Sequence, residues 1–243
     1  MNVINLVLAS GLGSRLYPLS TDEKPKQFLS LIGGNTMIED TLNRFKPFVD
    51  DSYIITLERY ERYVSDLKTS VIFEEERKES AISVHQAINS ISSDLQPSNT
   101  IIIQSPSDHH IKEDEHFKKS INEAVTYAKS GKLAIIGVDP TKPCSDYGHI
   151  KQDHEMVEKP TLSKASDLME NGYLWNTAIY VYPLGKMIKY FNSYFNHEVT
   201  AFEKVILPNI TDDIKVISSD MDWTDIGTHE RLESFGNEKG VQQ

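Results

Sequence analysis

The feature that most constrains this chain is the regular return of short apolar runs rich in β-branched residues, at 3–8, 53–57, 71–73, 101–103 and 133–138. Runs of this length and composition suit strands buried on both faces, as in a largely parallel sheet. Segments of helical spacing lie between them. Met37, Ile38, Leu42 and Phe45 make one apolar face, Ile82, Ala87, Ile88 and Ile91 a second, and Phe117, Ile121, Ala124, Val125 and Ala128 a third. Alternating strands and helices predict an α/β fold, a Rossmann-like doubly wound, mostly parallel mixed sheet with helices on both faces.

Past residue 137 the texture changes. Pro140, Pro143 and Gly148 punctuate a loop, and strand-like pieces follow at 147–151 and 155–158. Helical spacing returns around 184–195 and 199–207 before a last strand at 214–217. No linker, repeat or low-complexity stretch divides the chain, so its C-terminal part is expected to extend the same sheet and cover its ligand face. Residues 1–243 are read as a single domain, a size at which a sizeable core can be buried.

Composition narrows the partners. A formal charge of −11 repels phosphate backbones and argues against nucleic acid, though a small anion needs only a local cluster of cations. The one cysteine, Cys144, cannot form an internal disulfide, which fits a reducing compartment; it reads as a half-buried loop residue without chemistry. The N-terminal run reads as a strand rather than a signal peptide. No apolar stretch approaches the roughly 20 residues that span a bilayer. No membrane partner and a cytoplasmic location are therefore expected.

The first apolar run opens into Leu8-Ala9-Ser10-Gly11-Leu12-Gly13-Ser14-Arg15-Leu16-Tyr17-Pro18. Glycines after a first strand let backbone N–H groups approach an anion without intervening Cβ atoms. A dinucleotide loop would place a third glycine where Leu16 stands, and a Walker loop would need Gly-Lys-Ser/Thr; neither is present. Arg15 and the following Lys24-Pro25-Lys26-Gln27 instead offer a guanidinium fork and an ammonium point charge, a pairing suited to a polyphosphate.

These segments, Gly11 to Ser20 and Lys24-Pro25-Lys26-Gln27-Phe28-Leu29, resemble the signature of sugar-nucleotide pyrophosphorylases, and the second is similar to the mannose-1-phosphate guanylyltransferase branch. Five further matches follow in family order: Pro106-Ser107-Asp108-His109, Tyr147-Gly148-His149-Ile150, Val157-Glu158-Lys159-Pro160, Trp175-Asn176-Thr177-Ala178 and Asp222-Trp223-Thr224-Asp225-Ile226-Gly227. The resemblance implies a GT-A-like nucleotidyltransferase fold and transfer of a nucleotide from GTP to mannose 1-phosphate, giving GDP-mannose and pyrophosphate. It assigns Arg15 and Lys26 to catalysis at the β- and γ-phosphates. It places Leu8, Ala9, Ser10, Gly11, Gly13, Ser14, Ser80 and Pro106 around the nucleotide, and Tyr147, Gly148, Glu158, Lys159 and Asn176 around the sugar phosphate. It gives Mg²⁺ to Asp108 and Asp225. Asp108 follows an apolar strand, where ligands of open α/β sheets bind, and a carboxylate there is a natural Mg²⁺ ligand.

Other chemistry-bearing residues carry plainer expectations. His109 is read as supporting or structural, His110 as exposed, Trp175 and Trp223 as core anchors, and Glu74-Glu75-Glu76 as a solvated face. The chain also departs from the family pattern. Ser10 replaces a glycine, Tyr17 a tryptophan, and Ala178 the glycine of Trp-Asn-x-Gly; residues 77–83 stand where Arg-x-Asn-Thr-Ala-Pro-Ala is usual. A fused C-terminal β-helix or isomerase domain is not expected, and a homodimer is allowed. Two other readings stay open: a pyrophosphorylase for another sugar 1-phosphate, such as a heptose, or another triphosphate, and a regulatory subunit that binds nucleotide sugars without turnover.

Overall fold

The computed structural model describes residues 1–195 and 201–239. Among them the strands are β1 (Asn2–Leu8), β2 (Asp51–Leu57), β3 (Ser70–Glu74), β4 (Thr100–Pro106), β5 (His109–Ile111), β6 (Leu133–Val138), β7 (His149–Ile150), β8 (Met156–Val157), β9 (Leu174–Pro183), β10 (Ile214–Ser219) and β11 (Trp223–Asp225). The helices are α1 (Met37–Phe45), α2 (Glu61–Val64), α3 (Ser80–Asp94), α4 (Glu115–Lys129), α5 (Leu162–Glu170), α6 (Leu184–Tyr194), α7 (Phe202–Val205) and α8 (His229–Lys239).

The main sheet runs β10-β6-β9-β4-β1-β2-β3, with β7 and β8 hanging from β9. All neighbours along this path pair in parallel except β9, which lies antiparallel between β4 and β6. The mostly parallel mixed sheet expected from the apolar runs is what forms. Side chains on β1 alternate as a strand dictates: Ile4 and Leu6 join Ala87, Ile88 and Ile91 of α3 on one face, while Val3 joins Phe117, Ile121 and Ala124 of α4 on the other. Val7 packs with Ile38 of α1 and Ile54.

Local chemistry sets the helix starts. Thr36 and Glu39 form a reciprocal capping box at α1, and Asp114 accepts from the amides of His116 and Phe117 at α4. The C-terminal part does extend the sheet, through β9 and β10. Elsewhere the expected boundaries shrink. The strand pieces at 147–151 and 155–158 reduce to two residues each in β7 and β8. The helix expected over 199–207 becomes α7 followed by a 3₁₀ turn, Leu207–Asn209, and Val199 lies outside the described residues. The two-stranded β5-β11 ribbon is unanticipated; it pairs His109 with Asp225.

Candidate active site

A cavity of about 400 Å³ opens where β1 and β2 end and α3 begins. Leu8, Ser10, Gly11, Arg15 and Ser80 line it from the first half of the chain, and Tyr147, Gly148, Glu158, Lys159, Asn176 and Asp225 from the second. Of the other residues expected at the site, Ala9 is fully buried, Ser14 is exposed, and Gly13, Pro106, Asp108 and Lys26 support the cavity without lining it.

The glycine loop is held from below. Buried Gln27 donates through Nε2 to the carbonyls of Ala9 (2.8 Å) and Gly11 (2.9 Å), which gives the Lys-Pro-Lys-Gln segment a structural task. Gly13 sits at φ +64°, and a Cβ there would lie 2.7 Å from both Lys26 Cβ and Ser20 Oγ, so only glycine fits the turn. Ser10 Oγ donates to Glu74 Oε2 at 2.5 Å, and Ser83 Oγ to Glu74 Oε1 at 2.8 Å. Glu74 is 1% exposed, so the expected solvated face is wrong for this residue: its carboxylate ties the loop to β3 and α3. Glu75 and Glu76 are exposed as expected.

Charge concentrates beneath the loop. Lys26, 3% exposed, places its Nζ 2.8 Å from Asp225 Oδ1 and 3.0 Å from Asp108 Oδ2. Burial works against the ammonium, but Asp108 and Asp225 outweigh it and raise the Lys26 pKa. Burial likewise opposes the Asp225 carboxylate, and Lys26 overcomes it to hold that pKa below the usual value. Arg15 is half-exposed, with Nη1 3.2 Å from Asp146 Oδ2 and Nη2 3.9 Å from Asp225 Oδ2. Gly227 lets this pair approach the backbone: a Cβ there would be 2.9 Å from Asp225 Oδ2 and 3.1 Å from Arg15 Nη2.

Two members of this network were missed in the sequence. Asp146 immediately precedes the Tyr-Gly pair, and that adjacency was the available signal. Arg231, on α8, gave none. It reaches Asp146 Oδ2 at 2.5 Å and Asp225 Oδ2 at 3.4 Å, and its guanidinium lies 4.7 Å above the Tyr147 ring. Its Nη2 also lies 3.4 Å from Cys144 Sγ; that cysteine is buried rather than half-buried. Arg77, Lys78, Glu79 and Glu203 line the cavity as well, the first three in the segment that departs from the family pattern.

Trp175 and Trp223 are buried against one another and Tyr147, as core anchors should be. Trp223 Nε1 donates to His109 Nδ1 at 3.1 Å, so the His109 proton resides on Nε2; burial depresses its pKa and keeps it neutral. His110 is half-buried against the Phe235 ring, not exposed.

At the other end of the cavity Lys159 Nζ lies 3.5 Å from Glu158 Oε1 and stays largely exposed. Gly148 leaves room for that carboxylate: an added Cβ would be 2.6 Å from Glu158 Oε2. Asn176 is held internally. Its Nδ2 donates to the Tyr180 hydroxyl at 2.7 Å and its Oδ1 accepts from the Ala178 amide at 3.0 Å.

Glycine-rich backbone at the carboxyl end of a parallel strand, with cations nearby, is the arrangement by which α/β folds receive anionic ligands. A family model described as nucleotidyl transferase matches residues 4–239, and the chain belongs to that family. It is 33% identical over 210 residues to a mannose-1-phosphate guanylyltransferase of Sinorhizobium fredii, covering 76% of this chain and 40% of that protein. A mannose-1-phosphate guanylyltransferase of Escherichia coli is 25% identical over 244 residues, 91% of this chain and 51% of the relative. The chain thus spans about half the length, or less, of these curated relatives. Among solved structures, mannose-1-phosphate geranyltransferase from Thermus thermophilus superposes with a TM-score of 0.80 at 23% identity, covering 93% of this chain and 77% of that one, a likeness of fold. Among the described residues no helix is long and apolar enough to cross a membrane.

The residues present fit a divalent cation. Asp108 and Asp225 converge on one positive charge, the Lys26 ammonium, and offer only oxygen donors. Mg²⁺ takes one or two carboxylates and completes its shell with phosphate oxygens and water. No cluster of three or more His, Cys, Asp or Glu ligands exists among the described residues, so an all-protein cage is not what this site provides.

Proposed function

We propose that the protein is a sugar-1-phosphate nucleotidyltransferase, with GTP and mannose 1-phosphate as substrates and GDP-mannose and pyrophosphate as products. The observation that carries this reading is that one cavity is lined both by Arg15 of the glycine loop and by Lys159 beside Glu158. Two separate cations suit two phosphate-bearing substrates. The curated relatives named above support the choice of sugar and base.

In the proposed reaction an oxygen of the sugar phosphate attacks the α-phosphorus in line, a P–O bond forms, and the bond to the β-phosphate breaks as pyrophosphate leaves. The nucleophile is already anionic at neutral pH, so no protein nucleophile is needed, and catalysis rests on position and charge. Backbone N–H groups from Ser10 to Ser14 receive the triphosphate. Arg15 stabilises the departing pyrophosphate; to do so it exchanges Asp146 for phosphate oxygens. Arg231 keeps Asp146 and Asp225 paired while Arg15 leaves. Lys26 reaches the phosphates only by releasing Asp108 and Asp225. Those two carboxylates would hold Mg²⁺, which when bound supplies positive charge against the phosphate oxygens. Lys159 aligns the attacking phosphate, and Glu158 accepts from sugar hydroxyls. A cytoplasmic location belongs with this reading, because triphosphates and sugar phosphates are supplied there.

The test is pyrophosphate release from a matrix of triphosphates and sugar 1-phosphates with Mg²⁺, heptose 1-phosphate included. GTP with mannose 1-phosphate is expected to give the highest kcat/KM. Release from no combination would sink the enzyme reading and leave a nucleotide-sugar binding protein.

A further inference from the structure

The transfer just described leaves Glu203 without a task. This residue sits on α7, outside every motif that carries the family resemblance, yet it lines the cavity with Glu158, Lys159 and Asn176. Its Oε1 accepts from the Tyr180 hydroxyl at 3.0 Å. Tyr180 is fully buried in β9 and receives Asn176 Nδ2, and Asn176 Oδ1 in turn holds the Ala178 amide. A chain of three hydrogen bonds, anchored in the sheet, therefore fixes the direction of this carboxylate.

Among the described residues the Lys159 charge is what offsets it, and only from a distance. Among the described residues no Lys, Arg or His lies within 4.0 Å of Glu203, and Lys159 is turned to Glu158. Burial, with the neighbouring Glu158, raises the Glu203 pKa against the opposing pull of its own backbone amide, Tyr180 and Lys159. Holding such a group half-buried is costly unless a ligand supplies donors. An ionised carboxylate only accepts, and the Tyr180 hydroxyl with its own backbone amide leaves acceptor capacity open. The part of a ligand that answers this is an uncharged group carrying several O–H donors.

We propose that Glu203 is a specificity-determining residue that accepts a hydrogen bond from a ring hydroxyl of the sugar 1-phosphate, with Tyr180 and Asn176 as its positioning residues. The inference rests on the proposed function for the identity of the ligand. Glu158 and Glu203 then hold two hydroxyls from two elements, and the distance between those elements selects the sugar's stereochemistry.

The experiment measures binding and turnover separately. Calorimetric Kd values are determined for mannose 1-phosphate, its single-position deoxy analogues, an amino-sugar 1-phosphate and GTP, on the wild type, Glu203→Gln, Glu203→Ala and Tyr180→Phe. One deoxy analogue is expected to bind the wild type about 10–100-fold more weakly than the parent, because it removes a hydroxyl donor from a half-buried carboxylate. Glu203→Ala should weaken the parent by a similar factor and abolish the penalty for that same analogue. GTP affinity should change less than about twofold, and Tyr180→Phe should fall between. Glu203→Gln keeps the volume and serves if the alanine variant does not fold. The proposal is overturned if the deoxy penalty persists in Glu203→Ala, if no sugar 1-phosphate binds the wild type, or if the amino sugar is the preferred ligand and loses most in Glu203→Ala. The expected binding pattern without pyrophosphate release would sink the transfer reaction and leave the role of Glu203 standing.

Discussion

Single residues carry the departures of this chain from its family pattern, and the backbone explains one of them. Ala178 stands where the resemblance has glycine, and its φ is +56°, in the left-handed region that costs a side-chain-bearing residue about 1–2 kcal/mol. The left-handed backbone gives glycine a conformational reason at this position, which also lines the cavity. The turn survives with alanine because Asn176 Oδ1 holds the Ala178 amide. Ala178→Gly is accordingly expected to raise stability by about 0.5–1 kcal/mol in chemical denaturation, the strain relieved exceeding the entropy glycine adds to the unfolded chain. Unchanged or lower stability would show that the Asn176 hydrogen bond already removes the strain. Glu74 teaches the opposite lesson. Three consecutive glutamates read as solvated, and two are; the first turns inward because β3 points it at Ser10 and Ser83. Residue type alone cannot separate them.

At the scale of elements, the strands most legible in the sequence are those buried on both faces. β1, β2, β4 and β6 are built on short apolar runs with few polar interruptions, and each is found within a residue or a few of its expected place. β9 is not marked by an apolar run in the sequence, because Asn176 and Thr177 interrupt its pattern, yet it is the central antiparallel strand and carries Asn176 and Tyr180 to the cavity. Its pairing with β6 slips between Ile135 and Gly137, and Gly137 fits under Leu174: a Cβ would lie 2.8 Å from Leu174 Cβ. A glycine at a bulge with close backbone approach is a familiar device. Gly137→Ala is expected to lower stability by about 1–3 kcal/mol through overpacking, measured as a shift of the urea midpoint at constant slope. An unshifted midpoint would mean that Leu174 moves aside without cost.

At the scale of the molecule, the site is a junction between parts of the chain far apart in sequence. Lys26 and Asp225 are separated by 199 positions and meet at 2.8 Å. This changes what removal of each charge should do. Arg15 is half-exposed, so Arg15→Ala should leave stability within about 0.5 kcal/mol while turnover falls by several orders of magnitude. Asp225→Ala should lower turnover as far, but it also leaves the buried Lys26 ammonium with Asp108 alone and should destabilise by about 3 kcal/mol. Steady-state kinetics and denaturation on both variants check the contrast. Equal stabilities would refute the buried bridge, and near-normal turnover in either would refute its catalytic assignment.

By itself the sequence determined the alternation of buried strands and helices, the glycine loop, and the charged residues gathered at its ends. Apolar periodicity and turn chemistry are local properties, readable within a window of a few residues. Only the tertiary structure decided which charges meet. Arg231 joins the site because α8 lies over Tyr147, Glu203 faces the cavity because Tyr180 and Asn176 aim it, and Lys26 sits between two aspartates instead of open to a ligand. Such contacts depend on distances across the folded chain, where burial multiplies the worth of a charge that looks ordinary in sequence.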